Sequence, residues 1–152
     1  LTTFLVVGVG ALGALFGGVL ADRIGRTTLT ISAMLISGLC SLVIGFLFGG
    51  SVTLLVIVAL IWGISVIADS AQFSSCIIEL SDPDYLGTML TAQTCIGFLL
   101  TLFLIHMIPP LFDLLSWKYA FAPLAIGPFL GVLAMVRLRR HPDAIRLAGG
   151  NR

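Results

Sequence analysis

The chain has 152 residues, 59% of them hydrophobic and 10% charged, with a mean hydropathy of +1.16. A soluble domain carries roughly 25% charged residues to cover its surface, so this composition argues against a water-solvated globule and for a lipid environment. The net charge of +1 gives no basis for nucleic-acid binding, because the basic residues gather at the ends of apolar runs rather than along one face.

A membrane-spanning helix takes about 20 mostly apolar residues. Residues 1–21 supply the first span, and they carry no charge. Gly10, Gly13 and Gly17 fall on one face of it, and Gly13-x-x-x-Gly17 is a small-xxx-small pair of the kind that lets helices approach closely in lipid. A polar knot follows, from Gly18 to Arg26, with Asp22, Arg23 and Arg26 crowded between two apolar runs. It reads as a tight turn at a membrane surface. Residues 27–48 form the second span, and Gly49-Gly50-Ser51 turns the chain into the third, residues 52–80. Ser81-Asp82-Pro83-Asp84 is a stop and restart, in which Ser81 or Asp82 caps and Pro83 suits a first helical turn. The fourth span covers residues 84–107, with Pro109-Pro110 just beyond and a short loop through Asp113 to Lys118. Residues 119–136 form the fifth span. The transmembrane bundle thus occupies residues 1–137, and residues 138–152 form a polar tail with a frayed Gly-Gly-Asn-Arg end.

The positive residues set the orientation. With five spans, Arg23, Arg26, Arg137, Arg139, Arg140, Arg146 and Arg152 share one side, and Lys118 alone lies on the other. The Asp22–Arg26 turn, the Asp82–Asp84 loop and the C-terminus are therefore expected to be cytoplasmic. Trp117 and Tyr119 flank Lys118 at the outer boundary. Cys40, Cys76 and Cys95 lie inside apolar runs, are odd in number and make no CxxC, so packing is expected and a zinc site is not. His106 and His141 have no second ligand at metal spacing. No cofactor is indicated. The chain opens on Leu1 within an apolar run and has no signal-peptide pattern, so a piece of a longer protein is expected.

The stretch Gly18-x-Leu20-Ala21-Asp22-Arg23-x-Gly25-Arg26 resembles the loop motif of the major facilitator superfamily (MFS). In that family the motif joins the second and third helices on the cytoplasmic side, and recurs more weakly between the eighth and ninth. Here the match departs at Thr27, where the family usually has Lys or Arg. The third span lacks the membrane arginine of the family's fourth helix, and the fourth lacks the Gly-Pro motif of its fifth. Gly127-Pro128-x-x-Gly131 comes one helix too late. Trp117-Lys-Tyr-Ala-Phe121 opening the last span, with an arginine-rich tail after it, looks like the end of such a transporter. The resemblance therefore implies an all-α membrane fold comprising helices eight to twelve, the partial C-terminal half of an MFS-type bundle.

The resemblance also implies a cytoplasmic gate. Gly18 and Gly25 would permit close helix approach and the turn. Asp22 would meet the positive start of the helix that follows Pro83, and Arg26 would reach an acidic residue, with Glu79 the candidate. These contacts would hold the bundle together in one state and break in the other. The simpler alternative is that the charges only stop the helices at the interface.

Asp69 is the most informative single residue. It lies inside the third span, roughly 15 Å from Glu79 by helical rise. A carboxylate near mid-membrane costs about 2.5–3.5 kcal/mol on insertion scales, so it must face protein or a watery cavity. Asp69, Gln72, Cys76 and Glu79 fall on one helix face, bordered by Ser65, Ser70 and Ser75. The cost of keeping a carboxylate charged away from water suits proton coupling. Pairing with a cationic substrate, or a plain hydrogen bond to a neighbouring Ser or Thr, would also explain it. Gln93, with Thr94 nearby, could line the same cavity or serve as an interhelical amide.

The expected function is transport of a small solute by a secondary transporter at the inner membrane, proton-coupled or facilitative, working by alternating access against a missing N-terminal bundle. Its partners would be the solute, protons and the lipid bilayer. A non-transporting multi-pass scaffold or sensor is the alternative. A membrane enzyme is disfavoured, because no Gly-x-Ser-x-Gly or His-rich pattern lies in the spans.

Overall fold

In lipid, a chain without water to bond its amides must satisfy every backbone group internally, and a single-segment helix does so. The apolar runs obey this rule. The computed structural model describes residues 2–47 and 49–150, with their side chains except those of residues 2, 3, 12 and 112–118. It contains α1 (Thr2–Ile24), α2 (Arg26–Leu47), α3 (Val52–Leu80), a 3-10 turn (Pro83–Tyr85) and α4 (Leu86–Ala120). A second 3-10 turn (Ala122–Ala125), α5 (Ile126–Arg140) and a last run of 3-10 turns (Pro142–Gly150) complete the fold. Among the described residues, five helices are long and apolar enough to cross a membrane. The fold is an all-α bundle, consistent with a multi-pass helical membrane protein.

Helix α3 is the hub. It packs along α1 on one side and α2 on the other, and α2 in turn packs on α5. The α1–α3 seam is made by small residues. A Cβ on Gly13 would lie 2.9 Å from the Ile64 carbonyl oxygen, and one on Gly63 would lie 2.9 Å from that of Val6. Only glycine allows the two backbones this close. Gly17 meets Ala68 further along the same seam. Gly18, expected to share in close approach, has open space where a Cβ would stand. It lies one residue off the face that Gly10, Gly13 and Gly17 present.

The α1–α2 turn is a single residue. Gly25 has φ +97°, a left-handed conformation that L side chains disfavour. Its amide bonds the Ala21 carbonyl at 3.0 Å and its carbonyl receives Leu29 N–H at 3.1 Å, so it ends one helix while starting the next.

The structure revises four boundaries and placements. Helix α4 does not stop near Met107 but runs through Pro109 and Pro110 to Ala120. Each proline removes its own amide bond and crowds the carbonyl four residues back, but within lipid the surrounding helix still satisfies the rest of the backbone. The last span begins later than residue 119. A 3-10 turn intervenes, and α5 starts at Ile126, with Pro128 in the first turn where its missing N–H costs little. Cys95 is exposed on α4, unlike the buried Cys40 and Cys76. The tail folds back as turns over residues 142–150 and buries Ala144 and Leu147. Trp117 and Lys118 have side chains outside the described set. Tyr119 stacks edge-on against Phe46 with ring centroids 5.7 Å apart.

Candidate functional site

The site assembles where the α1–α2 turn meets the end of α3. Arg26 is the first residue of α2 and Glu79 the last but one of α3. The structure brings them together in a two-pronged contact: Nη2 bonds Oε1 at 2.6 Å and Nε bonds Oε2 at 3.0 Å. Arg26 Nη1 donates to Gln72 Oε1 at 2.9 Å, and Nη2 also reaches Asp22 Oδ1 at 3.1 Å. One guanidinium thus binds three side chains through four oxygens, a task suited to the forked donors of Arg rather than Lys. Arg26 and Gln72 are buried, Glu79 is partly buried, and Asp22 stays 66% exposed. Arg23 is exposed beside them.

Both charges of the pair stand at unfavourable helix ends. A cation in the first turn meets the positive end of the α2 dipole, and an anion in the last turn meets the negative end of α3. Each charge is therefore held by its partners more than by its own helix. Glu79 gains a third donor, Ala148 N–H, which bonds Oε2 at 2.9 Å.

Further into the span, Asp69 and Gln72 are buried on the same face of α3, as is Cys76 between Gln72 and Glu79. The Ser70 hydroxyl donates to the Val66 carbonyl at 2.8 Å and shares that one proton with Asp69 Oδ1 at 3.3 Å. Among the described residues, no ion pair forms at Asp69. The result is a file of polar side chains leading from inside α3 to the Arg26–Glu79 pair at its end.

Gln93 does not join this file. Its amide donates to Ser74 Oγ on α3 at 3.4 Å, and its own carbonyl oxygen is buried with no partner. Asp22 bonds Arg26 one turn along from it. The Pro83 restart is capped by Asp82, whose Oδ1 takes the Asp84 amide at 3.2 Å. Two contributors to the site were not foreseen: Gln72 as a ligand of Arg26, and the Ala148 amide. A single-sequence signal existed for the second, because Ala144 and Leu147 repeat at a spacing of three within the tail.

Among the described residues, no group of three His, Cys, Asp or Glu side chains lies close enough to hold a metal. An apolar groove between α4 and α5, lined by Leu100, Phe103, Met107, Pro123 and Leu130, contains none of the candidate residues.

The fold and this site define a class: a multi-pass helical membrane protein with a buried polar file along its central helix. No protein-family model, no curated protein and no solved structure matches this chain.

Proposed function

We propose that this chain is the C-terminal part of a facilitator-type secondary transporter, corresponding to helices eight to twelve, and that it moves a small solute by alternating access against a second bundle. In this reading the arginine-rich end is cytoplasmic, by the positive-inside rule. The observation that carries the proposal is the polar file itself: buried Asp69 and Gln72, continued by the Arg26–Glu79 pair, in a helix long and apolar enough to cross a membrane. A carboxylate and an amide inside a span are costly, and are retained where they face protein or a path for a polar solute or ion. Asp69 would carry the proton or meet a cationic group of the solute. The pair would close the cytoplasmic end when the site faces outward.

The scaffold reading draws on a different observation, the Gln93–Ser74 bond, since an interhelical amide serves as glue without any transport role. The two readings separate in one experiment. The full-length protein is reconstituted in liposomes holding a pH-sensitive dye, and a panel of small solutes is added outside. Solute-dependent internal acidification that Asp69→Asn abolishes supports proton-coupled transport. The same acidification in Asp69→Asn removes the proton role. No solute-dependent flux of any kind across the panel, measured with labelled solutes as well, would favour the scaffold.

A further inference from the structure

The segment Pro142–Gly150 lies against the arginine-rich end of the bundle rather than trailing into solvent. Ala144 and Leu147 are each 0% exposed. They share an apolar cluster with Met34 of α2, Cys76 of α3 and Met135 of α5, flanked by Phe73 and Leu80. A short tail thus bridges the ends of three helices. Its backbone then turns sharply. Ala148 sits at φ 46°, ψ 40°, the left-handed region that a residue with a Cβ disfavours. Such a conformation persists where the surroundings over-determine it. Two constraints flank it here: Leu147 is anchored on one side, and the Ala148 amide is drawn to Glu79.

That amide is the informative contact. Glu79 Oε2 receives Ala148 N–H at 2.9 Å and Arg26 Nε at 3.0 Å. Tail and latch therefore meet on a single oxygen. Because Glu79 lies in the last turn of α3, its charge is disfavoured by the helix end and depends on both donors to hold it in place. Seating the tail fixes the carboxylate where Arg26 can fork onto it, and the Arg26 contact fixes it where the amide can reach.

We propose that Pro142–Gly150 is a strap that seals the arginine-rich end and locks the Arg26–Glu79 pair, so that the ends of α2, α3 and α5 part only after Leu147 leaves its pocket. The strap's seating is independent of any transport activity; its part in gating rests on the transporter reading above. Cys76, buried under the tail, reports on it. When the strap is seated, water-soluble thiol reagents do not reach this residue.

The test uses purified full-length protein in detergent, with no solute and no ion gradient. Modification by a charged maleimide is assigned to Cys76 by mass spectrometry, and hydrogen–deuterium exchange is followed over residues 142–150. Leu147→Asp is expected to raise the Cys76 labelling rate at least tenfold. Ala148→Gly keeps the amide and relieves the left-handed strain, so it is expected to slow exchange in the tail several-fold. Arg26→Gln, placed on a different element from the tail, is expected to speed tail exchange at least tenfold through Glu79. Should Leu147→Asp not fold, the Ala148→Gly and Arg26→Gln pair decides the matter alone. Tail exchange unchanged by both of these substitutions overturns the proposal, as does Cys76 labelling already fast in the wild type. Either failure leaves the transport reading standing, because no flux is measured.

Discussion

Helices α3 and α4 contribute candidate spans of equal length, Val52–Leu80 and Pro83–Leu111, at 29 residues each and with similar hydropathies of 2.4 and 1.9. Yet α3 is the hub of the bundle, whereas none of the most apolar window of α4 is buried. The difference lies in the kind of polar group each carries. On α4, Thr91, Thr94 and Thr101 turn their hydroxyls back to carbonyls four residues earlier, at 2.8, 2.8 and 2.9 Å. A hydroxyl satisfied within its own helix can face lipid. On α3, Ser65, Ser70 and Ser75 do the same, but Asp69, Gln72 and Glu79 have more polar capacity than one backbone carbonyl can absorb. Gln72 and Glu79 draw partners from α2 and the tail, and that requirement turns their face, with Asp69 on it, inward. Hydropathy ranks the two helices alike; polar satisfiability separates them.

The sharpest way to break this contrast is to remove the partner that α3 depends on. Arg26→Ala should leave Gln72 Oε1 without its donor and Glu79 with only the Ala148 amide, and cost about 3 kcal/mol, the low end for a broken buried pair because Glu79 is 25% exposed. Reversible unfolding in mixed micelles followed by circular dichroism measures it, and a loss below about 1 kcal/mol would show that the pair is only a surface contact.

A second test sets two glycines of α1 against each other. Gly13→Ala should cost about 1–3 kcal/mol, because its Cβ meets the Ile64 carbonyl and α1 must shift from α3. Gly18→Ala, in open space on the same helix, should instead stabilise by up to about 1 kcal/mol from helix propensity. Equal effects at both sites in the same unfolding assay would mean that the α1–α3 seam is not where the structure puts it.

The smallest effect belongs to α4. Thr94→Val should stay within about 0.5 kcal/mol, as a surface change that removes a self-satisfied hydroxyl. Its counterpart on α3, Gln72→Leu, strands one Arg26 N–H and should cost about 1–3 kcal/mol. If the two substitutions cost the same, polar satisfiability does not distinguish the helices.

Much of this was legible along the chain. The charge-free runs marked the helices, Gly25 marked the turn, and the spacing of Asp69, Gln72, Cys76 and Glu79 marked an inward face, since helical period depends only on local sequence. Arg26 and Glu79 were singled out through the family-like motif, and the structure sets them 2.6 Å apart. What spacing could not tell was which neighbour each face would meet. It could not separate Gly13 from Gly18, because close approach depends on the other backbone. It ended α4 at the prolines, where solvent would have ended it but lipid does not. It left the tail loose, because the spacing of Ala144 and Leu147 marks an apolar face without naming the surface that receives it.

The sequence by itself determined that this protein is helical, how many times it can cross a membrane and where its polar groups fall, because these follow from composition and periodicity within single segments. Only the tertiary structure decided that Glu79 serves both Arg26 and the Ala148 amide, which stand 53 and 69 positions from it in the chain. Such a meeting has no local energetic signature. It exists because helices packed at glycine seams bring distant ends within hydrogen-bond range.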